Sequence, residues 1–150
     1  MIRVVGIGSP FGDDQVGWLV IEQLHGRRLS PGVALSALDR PGSALIQSLQ
    51  DVDWLILIDA LSCRGKTGQI IRIDPEQAEA GSSKLSSHGL DLAQTLNLAA
   101  ALGCRPRHID IYGIIIEQIA STGPCPAVAA AVPELAHIVE QSLRRPPTSV

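Results

Sequence analysis

Gly6-Ile7-Gly8-Ser9-Pro10-Phe11-Gly12-Asp13-Asp14-Gln15-Val16-Gly17 (GIGSPFGDDQVG, residues 6–17) joins the end of a β-branched run to the start of a helical pattern. Ile2, Val4, Val5 and Ile7 read as a short buried strand, Gly6 and Gly8 permit a tight exit, and Pro10 and Gly12 punctuate a loop. That loop delivers two adjacent carboxylates, Asp13 and Asp14, to the end of the first strand. In an open α/β sheet, ligands bind in the crevice beyond the carboxyl ends of the strands, so the position of the acids carries more weight than their number. One Asp serves as a helix cap and favours the positive end of the helix dipole; the second is left without that structural duty. A dinucleotide loop requires G-x-G-x-x-G, and Gly6, Gly8 and Gly12 miss it by one residue, with Phe11 in the third glycine's place. A phosphate-binding G-x-x-x-x-G-K-[ST] loop is absent here as well.

Outward from this loop, the 150 residues suit one domain large enough to bury a core. Apolar residues make up 45% but aromatics only 3%, so the core must be built from Val, Ile, Leu and Ala, as in a sheet flanked by helices. The net charge of −3, with no basic block, offers nothing to nucleic acid or to an anionic membrane surface. No secretory leader pattern and no membrane-spanning run is present in the sequence, and the expected location is cytoplasmic. Cys63, Cys104 and Cys125 are odd in number and widely spaced, which predicts three reduced thiols rather than a disulfide framework or metal knuckle.

The chain then alternates. Val16, Leu19, Val20 and Leu24 recur at helical spacing up to Gly26, and Val33 to Leu38 forms a second strand ending at Asp39. Ser43 is expected to cap a short helix reaching about Leu49. Trp54 to Ile58 has no polar interruption, the pattern of a central strand covered on both faces, and Asp59 is expected to end it. Only nine residues separate Asp59 from the β-run Gln69 to Ile73, too few for a right-handed crossover, so that strand should be antiparallel at an edge.

Asp74 to Ser87 reads as a mobile loop with room for a turn of helix, and His88 precedes a helix marked by Leu90, Leu92, Leu96 and the stop at Gly103. Ile109 to Ile116 supplies the last strand, closed by Glu117. Pro126 suits the first position of a final helix, inside which Pro133 should produce either a kink or a new start. The expected fold is a three-layer α/β sandwich: a twisted, five-stranded, mostly parallel sheet with one antiparallel edge strand and helices on both faces. Residues 1–143 form its single domain, and 144–150 are expected to be a disordered tail.

With most strands parallel, Asp13, Asp14, Asp39, Asp59 and Glu117 gather along one sheet edge. Turn chemistry accounts for Asp39 before Pro41, and solvent-facing polarity for Glu117; neither explains an acid at the end of the most buried strand, where an unpaired charge is costly. Clustered carboxylates need a cation, a shared proton or a basic partner, and one imidazole with two carboxylates is a facial ligand set for Ni, Zn or Fe. Asp14, Asp59 and His88 are the candidate set for catalysis and metal contact, with Asp13 and Asp39 as possible support. A serine nucleophile elbow is missing, and Cys63 or Cys125 as nucleophile would require a base that the sequence does not locate.

GIGSPFGDDQVG, LDRPGS, LILIDA, SSHGLDL, YGIIIE and GPCPAV, in that order, resemble the motifs of the hydrogenase maturation proteases, which trim the C-terminus of the NiFe-hydrogenase large subunit. The similarity runs from Ile2 to about Leu143. It implies a twisted sheet flanked by helices and an endopeptidase, grouped with the aspartic type, that recognises nickel already inserted in its precursor substrate. By motif, Asp14, Asp59 and His88 are the metal contacts. The resemblance also implies nickel supplied by the substrate rather than a tightly held resident metal, and the charge balance suggests a monomer. Departures from the family pattern are a first loop one residue shorter, Ser9 in place of asparagine, Arg40-Pro41 in place of a glycine pair, and Cys125 in place of a hydroxyl residue. The alternatives are a non-catalytic nickel-protein chaperone or docking module and a Rossmann-like nucleotide-binding domain.

Overall fold

The computed structural model describes residues 1–62, 65–79, 89–117 and 123–148. Five strands, β1 (Ile2–Ile7), β2 (Val33–Leu38), β3 (Trp54–Leu61), β4 (Ile70–Ile73) and β5 (His108–Ile115), form one sheet in the order β2-β1-β3-β5-β4. β1 pairs in parallel with β2 and β3, and β3 with β5, whereas β4 runs antiparallel to β5 at the edge, as the short β3–β4 connection requires. The helices are α1 (Val16–His25), α2 (Ser43–Ser48), α3 (Pro75–Glu79), α4 (Gly89–Ala101) and α5 (Pro126–Leu143).

Strand alternation divides the apolar side chains between two cores. On one face Val4, Ile56, Ile58 and Ile114 meet Val20 and Leu24 of α1 and Val128, Leu135 and Val139 of α5. On the other, Val5, Ile7, Leu55, Leu57 and Ile111 meet Leu45 of α2 and Leu92 and Leu96 of α4. Both faces of β3 are therefore covered, which is why its sequence shows an unbroken apolar run.

Several local expectations are corrected. β3 does not end before Asp59 but continues through it to Leu61, because Asp59, Ala60 and Leu61 keep pairing with Gly113, Ile114 and Ile115 of β5. Ser43 does not cap α2: Gly42, with φ 140°, holds the cap position and Ser43 is the first helical residue. α5 runs unbroken through Pro133, so no new helix starts there. The turn of helix allowed for in the loop after Asp74 is α3; the loop's residues from 80 onward lie outside the described residues, as do His88 and Cys63. Cys104 and Cys125 are free thiols. At the chain's end, Arg144 and Arg145 still donate backbone bonds to Glu140 and Ser142 at the close of α5.

Candidate active site

The chain leaves β1 towards β2 on one side and returns to β3 on the other. This reversal opens a crevice at the carboxyl ends of β1 and β3, the switch point at which doubly wound sheets bind ligands. Two glycines set how closely α1 approaches it. A Cβ on Gly17 would lie 2.3 Å from the Ile7 carbonyl oxygen and 2.9 Å from that of Ile58, and one on Gly6 would lie 2.2 Å from the Gly17 carbonyl oxygen. The helix can press onto β1 and β3 only because both positions lack side chains. Its leading 3₁₀ turn, Gly12–Gln15, is carried against β3, bringing Asp13 and Asp14 to the strand that bears Asp59.

The loop is internally tied. The Ser9 N–H donates to the Asp14 carbonyl at 3.1 Å, the Asp14 N–H to the Phe11 carbonyl at 3.0 Å, and the Gly8 N–H to the Leu38 carbonyl at 3.0 Å. Trp18 Nε1 donates to the same Leu38 oxygen at 2.8 Å, fixing α1 to the end of β2.

Three carboxylates at this edge are buried: Asp13 is 2% exposed, Asp14 6% and Asp59 1%. Their environments differ. Asp13 Oδ1 accepts the Cys125 backbone N–H at 2.7 Å, so this acid caps α5 across the fold rather than its own helix. Asp59 Oδ1 accepts the Ala60 N–H at 2.7 Å, and alternation along β3 places Asp59 on the face of Leu57 and Leu61 that α2 and α4 cover. The Asp14 carboxylate makes no hydrogen bond or ion pair among the described residues. A carboxylate on a largely buried residue that spends no oxygen on the protein is free to meet a ligand at this edge.

Asp39 and Glu117 share the edge but not the burial. Asp39 is 71% exposed beside Arg40 at 3.7 Å, and Glu117 faces solvent. His88 lies outside the described residues, and among the described residues no three His, Cys, Asp or Glu side chains form a metal cage. The helix it precedes is placed: the residues after α4 share a cleft with Val52 and Asp53 at the amino ends of the strands. The 13 residues of α4 extend about 20 Å, bringing its first residue, Gly89, back towards the carboxyl edge.

A cleft of about 780 Å³ lies elsewhere, at the amino ends of β3 and β5 and lined by Trp54, His108 and Arg145 among others. Of its three acids, Asp74, Glu76 and Asp110, the most enclosed, Asp110, accepts a hydrogen bond from Trp54 Nε1 at 2.8 Å and is paired with Arg72. The crevice is nevertheless the better candidate, because it brings Asp13, Asp14 and Asp59 together at a strand switch point and, among the described residues, Asp14 keeps no side-chain partner there.

Against this geometry, residues 19–142 match the family model described as hydrogenase maturation protease. The chain belongs to the hydrogenase maturation protease family. Asp13 and Asp14 lie just upstream of the matched residues. The Escherichia coli hydrogenase 2 maturation protease is 28% identical over 149 residues, covering 95% of this chain and 90% of the relative. The Azotobacter vinelandii hydrogenase expression/formation protein HoxM is 31% identical over 126 residues. The chain spans 61% of the length of HoxM and 56% of its Azotobacter chroococcum counterpart HupM. Among solved structures, the hydrogenase maturating endopeptidase HybD from E. coli superposes with a TM-score of 0.85 at 27% identity, over 95% of this chain and 91% of that one. The maturation protease HycI from Thermococcus kodakarensis gives 0.78 at 25% identity, over 96% and 92%. The family fold is thus the sheet found here, and the Rossmann-like reading of the first glycine loop gives way to it.

Proposed function

We propose that the chain is an endopeptidase that removes the C-terminal extension of a NiFe-hydrogenase large-subunit precursor after nickel insertion. The observation that carries this reading is the buried Asp14 carboxylate, unpartnered among the described residues, at the β1/β3 crevice beside the strand that holds Asp59. Asp14 and Asp59 contact nickel presented by the precursor, and His88, which lies outside the described residues, supplies an imidazole nitrogen. Two carboxylates and one imidazole leave coordination positions for the precursor's own ligands. They make a weak permanent cage, since resident sites are normally held by four strong ligands, or by three rich in nitrogen or sulfur. The nickel is thus the substrate's, and it orients the scissile segment over the crevice. Amide hydrolysis then requires water to add to the carbonyl carbon and a proton to reach the leaving nitrogen; Asp14 and Asp59 are the carboxylates that carry those protons. The protein acts as a cytoplasmic monomer in this scheme.

Incubation with nickel-loaded precursor, followed by intact mass, tests the proposal: a single loss corresponding to the C-terminal extension is expected. A stable complex with no shortening would instead make the chain a docking module.

A further inference from the structure

Of the two loop acids, Asp13 is committed within the protein. Its Oδ1 accepts the backbone N–H of Cys125, 112 residues away in sequence, at 2.7 Å, and its side chain is almost wholly buried. Cys125 is the N-cap residue of the 18-residue α5, and its own side chain makes no capping bond. A carboxylate there also faces the positive end of the helix dipole. The bond joins two elements with no strand pairing between them: the loop that carries Asp14 and the first turn of α5. Within the loop, Asp14 is bonded through its own N–H to Phe11 and through its carbonyl to Ser9, so displacement of residue 13 passes directly to residue 14.

We infer that Asp13 is a positioning residue: through the Cys125 N–H it fixes the backbone from which Asp14 addresses the crevice, taking no part in metal contact itself. The inference rests on the endopeptidase reading above.

Cys125 has φ −62° and ψ 158°, angles that proline adopts without strain. Cys125→Pro therefore removes the one N–H that Asp13 uses, its ring occupying the place of the hydrogen, while Cys125→Ala removes the thiol and keeps the N–H. Asp13→Asn retains an oxygen acceptor; Asp13→Ala does not. Both Asp13→Ala and Cys125→Pro should lower kcat for precursor cleavage about a hundredfold, as misplacement of a reacting group by about 1 Å does, with KM little changed. The double variant should be no slower than either single one, since both remove the same bond. Asp13→Asn and Cys125→Ala should stay within a few-fold of wild type.

Amide hydrogen exchange supplies a readout independent of cleavage. The Asp14 N–H should exchange faster in Asp13→Ala and Cys125→Pro and at the wild-type rate in Asp13→Asn. Wild-type protein that fails to cut the precursor would refute the endopeptidase reading, whatever the exchange shows. Unchanged exchange in Asp13→Ala, wild-type cleavage by folded Cys125→Pro, or Asp13→Asn as slow as Asp13→Ala would each overturn the positioning role.

Discussion

At the scale of the residue, two neighbouring aspartates have opposite relations to stability. Asp13 has a partner in Cys125, whereas Asp14 is 6% exposed with no bonded partner among the described residues. Asp14 has no hydrogen bond or ion pair to lose among the described residues, so Asp14→Asn should melt close to the wild-type temperature while cleavage falls by about a hundredfold or more. A melting temperature several degrees below wild type would mean that Asp14 has a structural partner. Asp59→Asn should also fold, because its amide oxygen can still accept the Ala60 N–H, and it should lose cleavage far more than stability. The sequence supplied the positions of all three buried acids but not the division of labour among them. Capping rules are local, and the donor that claims Asp13 lies in α5, beyond any window that periodicity examines.

Elements were legible wherever burial imposed a period. β1, α1, β2, the antiparallel edge strand β4 and α5 follow from alternation, helical spacing or connection length, and the structure places them as those rules predict. The misplaced boundaries have physical causes. An acid normally ends a buried run, yet β3 continues past Asp59 because β5 supplies ladder partners as far as Leu61. The α2 cap moved from Ser43 to Gly42 because the chain enters that helix at a positive φ. The fit of α1 against the sheet gives a prediction at this scale: a methyl group at residue 17 would press on two backbone carbonyls, and neither can move without disturbing β1 or β3. Gly17→Ala should destabilise by roughly 1–3 kcal/mol and reduce cleavage with it, as read by chemical denaturation. Stability equal to wild type would show that α1 can lift from the sheet.

For the whole molecule, charge joins the two helices that share one face of the sheet. Arg27, just beyond α1, meets Glu140 of α5 at 2.6 Å, and Arg144 reaches the same carboxylate at 3.2 Å. The Arg27 hydrogen bond, with Arg144 adding to it, holds the Glu140 carboxyl below the usual carboxylate range. A carboxyl group depressed on folding adds stability above its unfolded value, about 4.3, and that stability is lost as pH falls through the folded value. Glu140→Gln should therefore melt below wild type at pH 7, and the gap should close as pH drops below about 4.3. A gap constant with pH would assign the effect to packing.

The parallel topology brings the acid-bearing strand ends to one edge, which in the proposed function recognises nickel carried by the precursor. The most direct measurement is a paired cleavage assay on nickel-loaded and nickel-free large-subunit precursor, read by intact mass, with elemental analysis of the purified protein alongside. Cleavage of the loaded precursor alone, by protein containing far less than one metal per chain, is the predicted result. Equal cleavage of the nickel-free precursor by protein holding about one tightly bound metal per chain would contradict it and make the crevice a resident metal site.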